Sequence, residues 1–154
     1  MASDEIPFAK AIAKYRPPPI NKDTAINYYA PVFGSFNYAF LSINVMNPGI
    51  LQRVLPKPDL TNIFLFNSCL GSFLFIAGRP HLSEAPLKLR VAYSVYGSIL
   101  FNMGSVLSWA ILRSLLPNNS GLATVTGLIS GFALTGCGVA YLNYNDEAVK
   151  ANKK

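Results

Sequence analysis

The chain has 154 residues, of which 51% are hydrophobic and only 13% charged, and its formal net charge is +6. Soluble proteins carry about 25% charged residues, and four uncharged runs of membrane-spanning length cannot be hidden in one core of this size, which excludes a water-soluble globular fold. The 13 Lys and Arg flank apolar runs instead of forming one patch interleaved with aromatics, which argues against a nucleic-acid surface.

Residues 1–27 open with Asp4 and Glu5 where a secretory signal needs basic residues, and no apolar core follows, so neither a signal nor a transit peptide is expected. The spacing instead predicts a short amphipathic helix. Ser3 or Asp4 caps it, Pro7 sits in its first turn, and Ile6, Ala9, Ile12 and Ala13 face away from Lys10 and Lys14. Pro17, Pro18 and Pro19 end it. This basic arm, with Lys10, Lys14 and Arg16, suits a partner subunit or anionic lipid headgroups.

Uncharged runs then occupy 24–52, 60–78, 91–112 and 114–145. A helix rises about 1.5 Å per residue, so the 22 residues of 91–112 reach about 33 Å against a hydrocarbon core of about 30 Å. The pattern predicts an all-α integral membrane protein with four transmembrane helices at about 28–46, 60–78, 91–112 and 122–142, arranged as two hairpins. Asn47-Pro48-Gly49 reads as an exit turn, 50–59 as a loop, and Asp59 as a cap for the second span. Ser83 and Pro86 offer an early start to the third helix, Pro117 to Gly121 form a tight turn, and 146–154 form a charged tail. The sequon at Asn118-Asn119-Ser120 hugs the membrane too closely for a glycan to be expected.

With four spans, Lys10, Lys14, Arg16, Lys22, Arg79, Lys88, Arg90, Lys150, Lys153 and Lys154 share one side. Only Arg53, Lys57 and Arg113 lie on the other. Ten against three is a positive-inside bias that places both termini in the matrix if the membrane is the mitochondrial inner one, and in the cytosol otherwise.

Helices in lipid associate by close packing and by polar contacts. In the fourth span Ala123, Gly127, Gly131 and Thr135 recur every four residues, and Gly127 to Gly131 make a GxxxG motif. Gly97 and Gly104 lie seven apart in the third. These six residues are the expected packing face, within the chain or toward a partner. Asn37, Asn44, Asn67 and Asn102 give the first three spans at least one amide each, read as interhelical hydrogen bonds in preference to a ligand site. A loose echo of Tyr29, Gly34, Arg53 and Pro56 in Tyr93, Gly97, Arg113 and Pro117 admits an internal duplication.

No Asp, Glu, Lys, Arg or His falls inside any of these spans, which weighs against a pump or a proton-coupled carrier. His81 is the only histidine, so a two-His haem site is impossible, and Cys69 and Cys137 have no ligand companions. No catalytic residue, cofactor or metal is expected. A lipid-acting enzyme built on Arg79, His81 and Glu84 is the least supported alternative, and a small four-span carrier or lipid-binding protein is the main one.

Two stretches, IPFAKAIAKYRPPP at 6–19 and YSVYGSILFNMGSVLSW at 93–109, resemble the small accessory membrane subunits of mitochondrial respiratory complex I, most of all the fungal NUXM type. The resemblance covers about a quarter of the chain. It implies a non-catalytic accessory or assembly subunit of NADH:ubiquinone oxidoreductase that packs against other membrane subunits and lipid.

Overall fold

The computed structural model describes residues 17–54, 60–116 and 119–152. The predicted N-terminal amphipathic helix and its Lys10, Lys14 and Arg16 lie outside them. The described residues form an all-helical chain without strands. We label the helices α1 (Ala30–Met46), α2 (Pro48–Val54), α3 (Leu60–Ala77), α4 (Leu87–Leu115) and α5 (Ser120–Ala151).

A turn of α-helix at Lys22–Thr24 and a π-helical segment at Ala25–Tyr29 lead into α1 without a break. The cause of the π-turn is close at hand. Pro31 has no N–H to return to the carbonyl four residues back, and the ladder shifts so that the Ala30 amide reaches the Ala25 carbonyl. The arm boundary expected at residue 28 therefore falls inside a continuous helix. The loop expected after Pro48 begins instead as α2, because a proline at the first helical position gives up an amide that would have been unpaired anyway.

α3, α4 and α5 are long and apolar enough to cross a membrane. The regular part of α1 has 17 residues, about 26 Å, a little under the usual span. α4 starts right after Pro86, and α5 is capped by Asn119, whose side-chain oxygen accepts from the Gly121 and Leu122 amides, both at 3.1 Å. α5 then runs two turns past the apolar stretch, so most of the expected tail is helix. Asp146, Glu147, Ala148 and Lys150 all accept helical geometry once the chain is at the surface.

Long helices that follow one another run antiparallel, and α1 is central. Its most extensive packing is against α3, and it also meets α4 and α5. Along the α1–α3 pair, Gly34 faces Gly71, Asn37 meets Asn67, Phe40 stacks on Phe64 at 5.6 Å, and Asn44 meets Thr61. α4 and α5 touch each other sparingly and lean on the first pair instead. The core is a small cluster of Tyr38, Leu41, Met46 and Trp109. Most large apolar side chains point outward, among them Phe36, Phe66, Leu107 and Phe132, each more than 60% exposed. Water would not tolerate that distribution; lipid does.

A Cβ added at Gly34 would lie 2.6 Å from the Gly71 Cα, and the reverse holds for Gly71. Neither backbone can give way without pulling the helices apart. Gly34→Ala or Gly71→Ala should therefore destabilise the detergent-solubilised chain by about 1–3 kcal/mol or more, read as a lower unfolding midpoint. Gly104→Ala, with nothing within 4 Å, should leave it unchanged.

Candidate functional site

The most organised feature of the interior is polar. Ser94, Ser98, Asn102, Ser105 and Trp109 recur at helical spacing and form one buried stripe of α4. The stripe faces α3 and α1. Ser68 donates to the Asn102 carbonyl oxygen at 2.5 Å, while the Asn102 amide donates to the Ser72 hydroxyl at 2.8 Å and to the Ser98 carbonyl at 2.9 Å. Ser98 in turn donates to the Cys69 carbonyl at 2.5 Å, with the Ser72 and Ser98 hydroxyls 3.0 Å apart. Each hydroxyl is small enough to let the helices approach, and each finds its partner within the chain.

A second set gathers around Tyr38. Its hydroxyl donates to Ser105 at 2.7 Å. Its ring packs on Phe101 and Trp109, with centroids 5.1 and 5.0 Å away. The Trp109 indole N–H donates to Ser130 at 3.1 Å. One aromatic cluster thus joins α1, α4 and α5.

The amides singled out from sequence are all engaged. Asn67 donates to Asn37 at 3.2 Å, Asn37 donates to the Phe33 carbonyl at 2.8 Å, and Asn44 donates to Thr61 at 2.6 Å. Asn47, at the end of α1, binds both Ser120 and Thr124 of α5.

The small-residue positions divide. Ala123, Gly127 and Gly131 are buried on the face of α5 that packs on α1. A Cβ at Gly127 would meet the Met46 side chain at 2.9 Å, and one at Gly131 would meet Trp109 and Tyr38 at ordinary contact distance. Gly97 faces Ile76 of α3. Gly104 looks outward, and a Cβ added there would meet none of the described residues within 4 Å. The closest approach of all, Gly34 with Gly71, lies outside the set expected from sequence. One glycine on each of two helices leaves no spacing signal in either.

A charged cluster closes the end of the bundle that holds the α3–α4 connection. Asp146 of α5 is buried, and its carboxylate accepts from His81 Nδ1 at 2.5 Å and from the His81 amide at 3.0 Å. Arg79 donates to Asp146 at 3.3 Å and to Asn143 at 3.0 Å, and its guanidinium lies 4.2 Å from the Phe75 ring centroid. Burial alone raises the Asp146 carboxyl pKa. The hydrogen bonds from His81 and the charges of His81 and Arg79 outweigh it, and the net shift is downward. His81 thus has a carboxylate partner that sequence reasoning missed, because 65 residues separate the two. Among the described residues no three His, Cys, Asp or Glu come together as metal donors.

Two outcomes test these assignments. Asn102→Ala removes two hydrogen bonds across the seam and one within α4, each worth about 1 kcal/mol or less in a membrane interior, and should lower the unfolding midpoint more than Ser108→Ala, whose hydroxyl bonds only its own helix. Because the folded Asp146 carboxyl sits below its ordinary value, its contribution is complete above the usual carboxylate range and is lost as pH falls through the lowered folded value. Amide exchange in the last two turns of α5 should therefore stay slow at neutral pH and speed up only in strong acid, while Asp146→Asn should speed it already at neutral pH. No family model, curated protein or solved structure matches this chain.

Proposed function

We propose that this chain is a four-span accessory or assembly subunit of a larger membrane complex and acts by packing. Complex I of the mitochondrial inner membrane is the complex its sequence resembles. The observation that carries the reading is the closure of the interior: Asn37, Asn44, Asn67 and Asn102 all spend their amides on partners within the chain. A carrier needs such groups turned toward a cargo. Here they hold helices together, and the outer surface is left to lipid and to neighbouring subunits.

α1 supplies the fourth span in this reading. Together with the helical turns from Lys22 it forms a continuous rod, and its outer face carries Phe33, Phe36 and Phe40, all about half exposed or more. The orientation follows from charge and from tyrosine. Arg79, Lys88 and Arg90 lie at one end of the bundle. Tyr28, Tyr93, Tyr96, Tyr141 and Tyr144, all exposed, lie within a few turns of the same end. Exposed tyrosines beside cations are the usual furniture of a headgroup layer, and both termini then face the matrix.

Gly104 is the position on the small-residue set that is free for an outside helix. In mildly solubilised membranes the chain should migrate on a native gel with a large assembly, and Gly104→Leu should weaken that co-migration while leaving the unfolding midpoint of the purified chain unchanged. Migration as a small oligomer whose stability depends on an added ligand would support the carrier reading and overturn this one.

A further inference from the structure

We propose that a cleft at the opposite end of the bundle, where α1 passes into α2 and α4 into α5, binds the phosphate of a membrane phospholipid. The cleft holds about 310 Å³, near the lower end for small-molecule sites, and Met46, Asn47, Arg113, Leu116, Ser120 and Ala123 are among the residues that line it. Among the described residues that line it, Arg113 is the one charged side chain, and none carries a carboxylate. Any ligand chosen by charge is therefore an anion.

Three features make the cleft a site for phosphate at the headgroup level. First, Arg113 closes the uncharged run 91–112, so its head reaches the depth where phospholipid phosphates lie. Second, the guanidinium is held in place by a long 3.3 Å bond from one terminal nitrogen to the Val45 carbonyl at the end of α1, which leaves most of its five donors for a bidentate partner. Third, the walls are fixed before any ligand arrives, because the Asn47 amide ties α1 to Ser120 and Thr124 of α5. Met46 and Ala123 supply a buried apolar floor. The first amides of α5 are already taken by Asn119, so Arg113 is the anchor.

The proposal rests on the membrane placement given above but not on the packing role, since it is tested on the isolated chain. The full-length protein in neutral detergent is titrated with phosphatidylglycerol, and bound lipid is counted by native mass spectrometry. Arg113→Gln should weaken apparent lipid affinity about tenfold or more, the value of a charge-assisted hydrogen bond. Arg90→Gln is the control: Arg90 also binds a helix-end carbonyl, that of Ala77 at 2.6 Å, but does not line the cleft, and it should bind lipid as the unaltered chain does. Equal binding by Arg113→Gln and the unaltered chain, or equal losses in the two variants, would overturn the site. Inorganic phosphate that protects against thermal unfolding as well as the lipid does would overturn the lipid as its source.

Discussion

Two glycines, Gly34 and Gly71, let the backbones of α1 and α3 come so close that each occupies the space of the other's missing side chain. The rest of the bundle depends on that approach. It brings the short amides of Asn37 and Asn67 within bonding distance, and likewise Asn44 and Thr61, pairs that a wider helix separation would leave unmade in a medium without water. It also narrows the first helix pair into a ridge against which α4 and α5 can both lean. A second close approach, of Gly127 to Met46 and the Ser42 carbonyl, seats α5 on the same central helix.

The distribution of polarity follows from the solvent. In lipid, apolar side chains gain little by turning inward, so the interior is free to hold hydroxyls and amides, provided each finds a partner. The serine stripe of α4 meets this condition without charge. Charge is kept for the helix ends, where Arg90 and Arg113 each bind a carbonyl at the C-terminus of a neighbouring helix, Ala77 of α3 and Val45 of α1. Cations there complement the negative end of the helix dipole. Asp146 with Arg79 and His81 does the same work beyond the membrane, fixing the extension of α5 to the turn that precedes α4.

Much of this was legible in the amino-acid sequence because the signals were local. Uncharged runs bounded by Arg or Asp mark α3, α4 and α5, and the four-residue recurrence of Ala123, Gly127 and Gly131 marks a packing face without naming its partner. What was not legible was pairwise. Gly34 and Gly71 stand alone on their helices, Asp146 looks like a solvated tail residue until α5 carries it beside His81, and Arg113 looks like a simple anchor until Asn47 and Ser120 build a cleft beside it. α2 was hidden for another reason: proline followed by glycine is a common turn signal, yet Pro48 here opens a helix.

The central claim is that helix α4 lays its serine stripe against α3 inside a single chain. The 3.0 Å separation of the Ser72 and Ser98 hydroxyls permits the most direct test, a disulfide across the seam. With Cys69 and Cys137 replaced by Ser, the Ser72→Cys, Ser98→Cys double variant should cross-link within the chain on mild oxidation in native membranes, shifting its mobility on a denaturing gel without forming dimers. A chain that stays reduced, or that links only to a second copy, would contradict the account.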